Sequence, residues 1–239
     1  MEFTRTWTGN WENAFHGLRH PLESYDRGDT KWYEDTMANE HLCGNQAIKV
    51  DPQRSMFLGI GPKDMDLAQR MIKAGTPNDK FLRQIFVSVD VTAPLYWWKE
   101  MDTYKVGTTA NSTSTMHKLA STPITPDCFE MDDFNNGLII EDDNNPLFIV
   151  TINDRAGTFI DALELLRQKY LETKDKRYWK ELIRWLPESW LQTRTWTANY
   201  SILRNIYHWR KDHKLSEWHQ FCDWIKTLPY AEDLIVFNN

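Results

Sequence analysis

From Gln84 to Val91 the chain alternates without a break. Ile85, Val87, Val89 and Val91 fall on one side of an extended strand, with Phe86, Ser88 and Asp90 on the other. On both sides of this segment the apolar spacing changes to the helical period. PKDMDLAQRMIKAG, at 62–75, puts Leu67, Met71 and Ile72 on one helical face and stops at Gly75, a residue suited to a helix C-terminus. Pro94 suits the first position of a further helix, LYWWKEMDTYK, closed by Gly107. Beyond Thr158 the pattern is helical at 158–173, about 175–185, 197–211 and 216–227. Leu203, Ile206 and Tyr207 supply the apolar face of one of these, and Trp218, Phe221, Cys222 and Ile225 that of another. A half-buried strand set among helices of this length calls for an α+β fold: a mixed sheet with long helices, helix-rich in its C-terminal half.

A chain of 239 residues fits one domain, 1–239, below the length at which cores tend to divide. Residues 1–58 mix turn-forming and polar types and read as an irregular N-terminal extension. The stretch 127–146 is acidic and rich in turn residues and reads as a loop or insertion. No apolar run of about 18 residues is present, so no membrane span is expected. The first residues lack the basic start and apolar run of a secretory signal. Cys43, Cys128 and Cys222 are odd in number and widely spaced, which suits reduced thiols and small core fillers in a cytoplasmic protein. A net charge of −6 argues against a nucleic-acid polymer as partner, yet a single nucleotide needs only a few cations.

Several polar constellations could serve such a ligand. On a continuous 197–211 helix, Asn199 and Arg210 would share a face about 16 Å apart at 1.5 Å per residue, with Asn205 pointing elsewhere. Arg210 offers a planar fork that matches a phosphate, although a solvated helix face explains the same residues. Lys105 is followed by Thr108, Thr109, Asn111, Ser112, Thr113, Ser114 and Thr115. Hydroxyls and backbone N–H groups at a turn can cradle an anion, and a hydrated loop is the plainer reading. The tryptophans crowded toward the C-terminus, Trp179 to Trp224, read as core fillers or, for one or two, as stacking surfaces for a flat heterocycle. Residues 132–143 resemble a calcium loop but place Phe134 at a ligand position. His208, His213 and His219 lack metal-ligand spacing, so no metal is expected.

The segment TYKVGTTANSTSTMHK, preceded by VSVDVTAPLYWWKEMD, resembles the signature of flavin-dependent thymidylate synthases. That signature runs R-H-R, two residues, S-x-N-E-x-S-x-R-Y, after a strand and an aromatic-containing helix. With one extra residue allowed, Lys105 falls on the second arginine and Thr108 or Thr109 on the first serine. Asn111 and Ser112 fall on the Asn-Glu pair, Ser114 on the second serine, and Met116 and His117 on Arg-Tyr. Downstream, Leu186-Pro187, Asn199, Asn205 and Arg210 match the order and spacing of a family helix, and Arg184 lies near the arginine before its Leu-Pro pair. Upstream, IKAGTPNDKFLRQ resembles the family's S-G-H-x-S segment. The resemblance spans roughly residues 70–225.

It implies an enzyme carrying FAD that transfers a one-carbon unit to C5 of a pyrimidine deoxynucleotide such as dUMP. Methylenetetrahydrofolate and NADPH would be co-substrates, and the assembly would be a homotetramer with shared sites. Nucleotide contacts are then expected from Lys105, Ser112, Ser114, Arg184, Arg210 and Glu100, and cofactor contacts from Asn78, Tyr104, Lys105, Asn111, Asn199 and Asn205. Trp97 and Trp98 would either line the same pocket or belong to the core. The chemistry is borne by the flavin, so no protein nucleophile is implied. The departures are specific: Thr103-Tyr104-Lys105 replaces Arg-His-Arg, Ser112 replaces the glutamate, Met116 the late arginine, and Thr76 the upstream histidine. They leave open a catalytically silent homologue that keeps the fold to bind a nucleotide or a protein.

Overall fold

Residues 86 to 94 do form a strand, and the sheet around it is assembled from distant parts of the chain. The structure, a computed structural model, describes residues 1–34, 48–51, 56–131, 139–142 and 145–237. Its strands are β1 (Glu2–Gly9), β2 (Lys31–Glu34), β3 (Ile48–Asp51), β4 (Met56–Gly59), β5 (Phe86–Pro94), β6 (Thr109–Ser112), β7 (Ile139–Asp142), β8 (Asn145–Thr151) and β9 (Leu191–Asn199). Its helices are α1 (Trp11–Arg19), α2 (Pro62–Ala74), α3 (Leu95–Met101), α4 (Thr115–Lys118), α5 (Ile152–Thr173), α6 (Lys176–Arg184), α7 (Tyr200–Arg210) and α8 (Ser216–Lys226). The main sheet has the order β1-β5-β9-β6. A smaller sheet, β2-β4-β3, is antiparallel throughout, as is the β7-β8 pair. The α+β class expected from the sequence is therefore the observed one. Among the described residues no helix is long and apolar enough to cross a membrane.

The chain divides into two compact units, and β5, β6 and β9 each run from one into the other. The first unit comprises Met1–Val91, Lys105–Ala110 and Thr195–Asn239. Its core takes the inward side of β5, where Val87, Val89 and Val91 are buried, together with Leu203 and Ile206 of α7 and Trp218, Phe221 and Ile225 of α8. Trp11 of α1 meets Tyr200 edge-on at 4.9 Å, and Phe221 lies against Trp196, Trp218 and Trp224. Each such side chain contributes roughly 1.5–3 kcal/mol by leaving water. Helix α2 spans the predicted range: Pro62 stands at its first turn and Gly75, at φ 69°, terminates it in a conformation only glycine adopts readily. Of the expected face Ile72 is buried, while Leu67 and Met71 are only half-buried and Asp64 and Ala68 complete the buried stripe. A buried carboxylate in that stripe masks the apolar period.

The second unit comprises Thr92–Tyr104 and Asn111–Arg194. Its core gathers Leu119, Ile124, Phe129, Ile160, Leu163 and Leu182. Trp97 and Trp98 of α3 are also fully buried, so they are core residues, not pocket walls. Helix α3 ends at Met101, well short of Gly107.

Two expectations need correction. The described residues of 1–58 are not irregular: they hold β1, α1, β2 and β3 and enter β4. Most of β1 is solvent-facing, so its apolar alternation is faint. The second is the 197–211 helix, which begins only at Tyr200, because residues 191–199 form β9. Thr193, Thr195 and Thr197 alternate there with Gln192, Arg194 and Trp196, and β-branched residues at that period favour a strand. Within the stretch expected to be a loop, a short 3-10 turn covers Pro126–Cys128 and β7 covers Ile139–Asp142. Residues 132–138, with most of the calcium-loop resemblance, lie outside the described residues, as does Cys43.

Candidate functional site

Strand β9 stops at Asn199 because its side chain turns back on the chain. The Asn199 carboxamide oxygen accepts from the Ile202 N–H at 3.1 Å and caps α7, with backbone angles of φ −139° and ψ 168°. Asn199 is thus a cap and not a member of the helical face, so the face shared with Arg210 does not exist. The Tyr200 N–H donates to Ile85 O at 3.0 Å and fixes where the helix starts. Burial of Leu203, Ile206 and Tyr207 then orients α7. The opposite flank carries Ser201, Asn205 and His208 at positions i, i+4 and i+7.

That flank faces a groove of about 590 Å³, lined by Ser201, Ile202, Arg204, Asn205 and His208 on one side and by Thr76 and Asp79 on the other. Its volume lies in the range of roughly 300–1,000 Å³ common to small-molecule sites. Thr76 Oγ1 donates to Asp79 Oδ1 at 3.2 Å. Arg204 Nη1 donates to the carbonyls of Ile235 and Phe237, 2.8 Å each, and its guanidinium lies 4.6 Å from the Phe237 ring centre. His208 Nε2 is 3.0 Å from Ile235 O. Since a carbonyl only accepts, that nitrogen carries the proton. Burial, followed by the Arg204 charge, moves the His208 pKa below its ordinary value. Burial also lowers that of Arg204.

The turn that follows Lys105 sits at the start of the same helix. Gly107 has φ 75°, and a Cβ there would stand 2.9 Å from Ile202 Cδ1 and 3.7 Å from Asn199 Nδ2. Lys105 itself is exposed. Three stretches singled out from the sequence, around Thr76, Lys105 and Asn199–Asn205, therefore meet at α7. Asn78 is exposed, with its N–H on Gly75 O at 2.8 Å, and it does not line the groove. Arg210 lies further along the helix, its guanidinium 4.6 Å from the ring centre of Trp218.

The remaining candidates belong to the second unit. Asn111 and Ser112 are exposed on β6, and Ser114 Oγ caps α4 by accepting from the His117 N–H at 3.2 Å. Glu100 and Tyr104 are half-buried, on α3 and just after it. Arg184 ends α6 in an ion pair with Glu181. One basic residue escaped the sequence reading: Arg194. It stacks 4.3 Å from the centre of Trp98 and donates to Gln192 Oε1 and Asp102 Oδ1, both at 2.9 Å. Recognising β9 would have found it, since Arg194 shares a strand face with Gln192. Asp79 and Arg204 were missed as well, and His208 was weighed only as a metal ligand.

The donor set of the α7 groove suits part of a nucleotide. Hydroxyl, carboxamide and carboxylate groups match a ribose, and arginine N–H groups match phosphate oxygens. One groove of this size accommodates a nucleotide half of FAD, which fits the cofactor that the resemblance implies.

No protein-family model matches the chain, and no curated protein matches it. Solved structures do. Thymidylate synthase X from Helicobacter pylori, crystallised with FAD and dUMP, aligns with a TM-score of 0.65 at 14% identity, covering 98% of this chain and 97% of that one. A second structure of the flavin-dependent thymidylate synthase from Helicobacter pylori, complexed with FAD and dUMP, gives 0.60 at 15% identity, with 98% of each chain covered. The UMP/dUMP methylase PolB from Streptomyces cacaoi, bound to 5-bromo-dUMP, gives 0.55 at 14% identity, covering 99% of this chain and 96% of that one. At such identities the likeness is one of fold.

Proposed function

We propose that the chain binds FAD along the α7 groove and transfers a one-carbon unit to C5 of a pyrimidine nucleoside monophosphate such as dUMP. The observation that carries this reading is the meeting of Thr76 and Asn205 across one groove, beside the Gly107 turn. The similar folds solved with FAD and dUMP, or with 5-bromo-dUMP, support it. Bound FAD would supply the redox chemistry, with methylenetetrahydrofolate as carbon donor and NADPH as reductant.

The chain's own residues would bind and orient. Asn205 and Thr76 hydrogen-bond polar edges of the cofactor, and Arg204 places positive charge at its phosphates. Lys105 contributes a mobile point charge, and Ser112, Ser114, Arg184 and Arg210 are the further nucleotide contacts in this reading. The replacement of the family's arginines and glutamate at Thr103, Lys105, Ser112 and Met116 favours a second reading, in which the nucleotide is bound and not turned over.

The deciding experiment is the absorbance spectrum of the purified protein with FAD and then dUMP, followed by assay of the 5-methylated product. A flavin band that shifts with dUMP is expected, and Asn205→Ala should weaken FAD about tenfold by removing a hydrogen bond. Failure to bind FAD refutes the proposal. Binding without product selects the second reading.

A further inference from the structure

Glu12 and His16 lie one turn apart on the outer face of α1, while Trp11 and Phe15 point into the core. The chain after α1 returns past this face twice, first with Tyr25 in a 3-10 turn and then with Trp32 on β2. Between them lies a cavity of about 240 Å³. The Arg19–Asp64 pair forms part of its wall.

The rings are held in place. Tyr25 stacks on His16 at 4.8 Å and 19°, and its hydroxyl stands 2.5 Å from His20 Nδ1. The Trp32 indole N–H points at Glu12 Oε1 from 3.5 Å. Yet Tyr25 remains 43% exposed and Trp32 39%, an unusual amount of aromatic surface to leave in water at the rim of a cavity.

The charge at this cavity is negative. Arg19 Nη2 lies 2.5 Å from Asp64 Oδ1 and both side chains are buried, so that pair adds no net charge. Glu12 has no cationic partner within 4 Å among the described residues. We infer that this cavity is a binding site for an organic cation of the quaternary-ammonium class, seated against Tyr25 and Trp32 with Glu12 as counter-ion.

The alternatives fail on chemistry. An anion would meet a carboxylate and the negative faces of two rings. A neutral apolar group would desolvate Glu12 with nothing in return. No three metal-ligating side chains converge among the described residues, and a nucleotide is too large for the space. An alkylammonium head satisfies both the rings and the carboxylate. The site is separate from the α7 groove and stands or falls independently of the function proposed there.

The test uses the full chain and two probes of one shape: choline, and its uncharged isostere 3,3-dimethylbutan-1-ol, titrated calorimetrically and followed by NMR. Choline should saturate and bind at least about tenfold tighter than the isostere. Glu12→Gln should remove most of that difference, and Trp32→Ala should weaken choline binding while FAD binding stays as in the wild type. Both side chains are exposed, so melting temperatures should not move. Equal affinity for the two probes, undiminished choline binding by Glu12→Gln, or no saturable choline binding would overturn the inference. The probe comparison on the wild type holds even if a variant fails to fold.

Discussion

Removing Asp64 should cost the first unit far more than removing its partner Arg19, and the reason is visible in the hydrogen bonds. Asp64 Oδ1 accepts from Arg19 Nε at 2.6 Å, while Oδ2 accepts from the Asp29 N–H, the Thr30 N–H and Thr30 Oγ1 at 3.0, 2.8 and 2.6 Å. In return Asp29 caps α2, accepting from the N–H groups of Lys63 and Asp64 at 2.9 and 3.0 Å. Asp64→Ala strands a buried guanidinium and three donors, and breaking a buried pair in this way costs about 3–5 kcal/mol. Arg19→Met leaves the carboxylate its other three donors, so its cost should be only about 1–3 kcal/mol. At roughly 2–4 °C per kcal/mol for a chain of this size, Asp64→Ala lowers the melting temperature by about 6–20 °C. Burial pushes the Asp64 pKa up, but the Thr30 hydroxyl, the two backbone N–H groups and Arg19 outweigh it and the net shift is downward. A lowered carboxyl pKa means stability present above the ordinary carboxylate range and lost as pH falls below it. The gap between wild type and Asp64→Ala should therefore narrow in acid. Thermal melts by circular dichroism across pH measure both effects. A cost below about 1 kcal/mol for Asp64→Ala, or a larger one for Arg19→Met, would refute the reasoning.

Three further outcomes are expected. Gly107→Ala should destabilise by about 1–2 kcal/mol from its left-handed backbone alone and also weaken FAD, because the new Cβ presses on Ile202. Gly75→Ala, where a Cβ meets nothing within 4 Å, should show only the backbone cost in the same melts and titrations. In the second unit, hydrogen bonds from Arg167 bring the Glu164 carboxyl from 4.5 down to about 2, aided by the Ile124 N–H and Gln168. It should contribute about 1–2 kcal/mol above pH 4.5, after allowance for solvent screening, that is lost toward pH 2. Glu164→Gln should flatten that acid limb in urea titrations. Burial pushes the Cys222 thiol up to about 11, so iodoacetamide at neutral pH should alkylate the half-exposed Cys128 well before Cys222, as peptide mass spectrometry would report.

Where one face of an element is buried and the other wet, the sequence was a good guide. The Val87–Val91 alternation and the Pro62 and Gly75 ends of α2 are local signals that tertiary contacts left intact. Legibility failed where partners come from elsewhere. The stripe of α2 contains Asp64, which is buried only because residues 19, 29 and 30 converge on it. Strand β1 keeps little apolar alternation because most of it faces water. Residues 197–199 read as helix because α7 is strongly periodic and the pattern was extended one turn too far. The threonines of β9 were the contrary signal. Among the residues that line the groove, Asn205 was legible from its place in the resemblance. Arg204, His208 and Asp79 were not, since no spacing in the sequence announces that residues 76–79 face the 201–208 helix.

The cations nominated for the nucleotide have a similar history. Arg210 is suggested by its charge and spacing and Arg184 by the resemblance, but one lies against Trp218 and the other pairs with Glu181. A guanidinium already stacked or paired must give up that contact to meet a phosphate, so its net gain on binding is reduced. Arg204 is different, because it lines the groove itself and is oriented there by its bonds to the Ile235 and Phe237 carbonyls. In the proposed reading a phosphorylated ligand would meet Arg204 directly, in a groove that also holds the Asp79 carboxylate. That reading therefore ranks Arg204, which lines the groove, before Arg184 and Arg210, which do not.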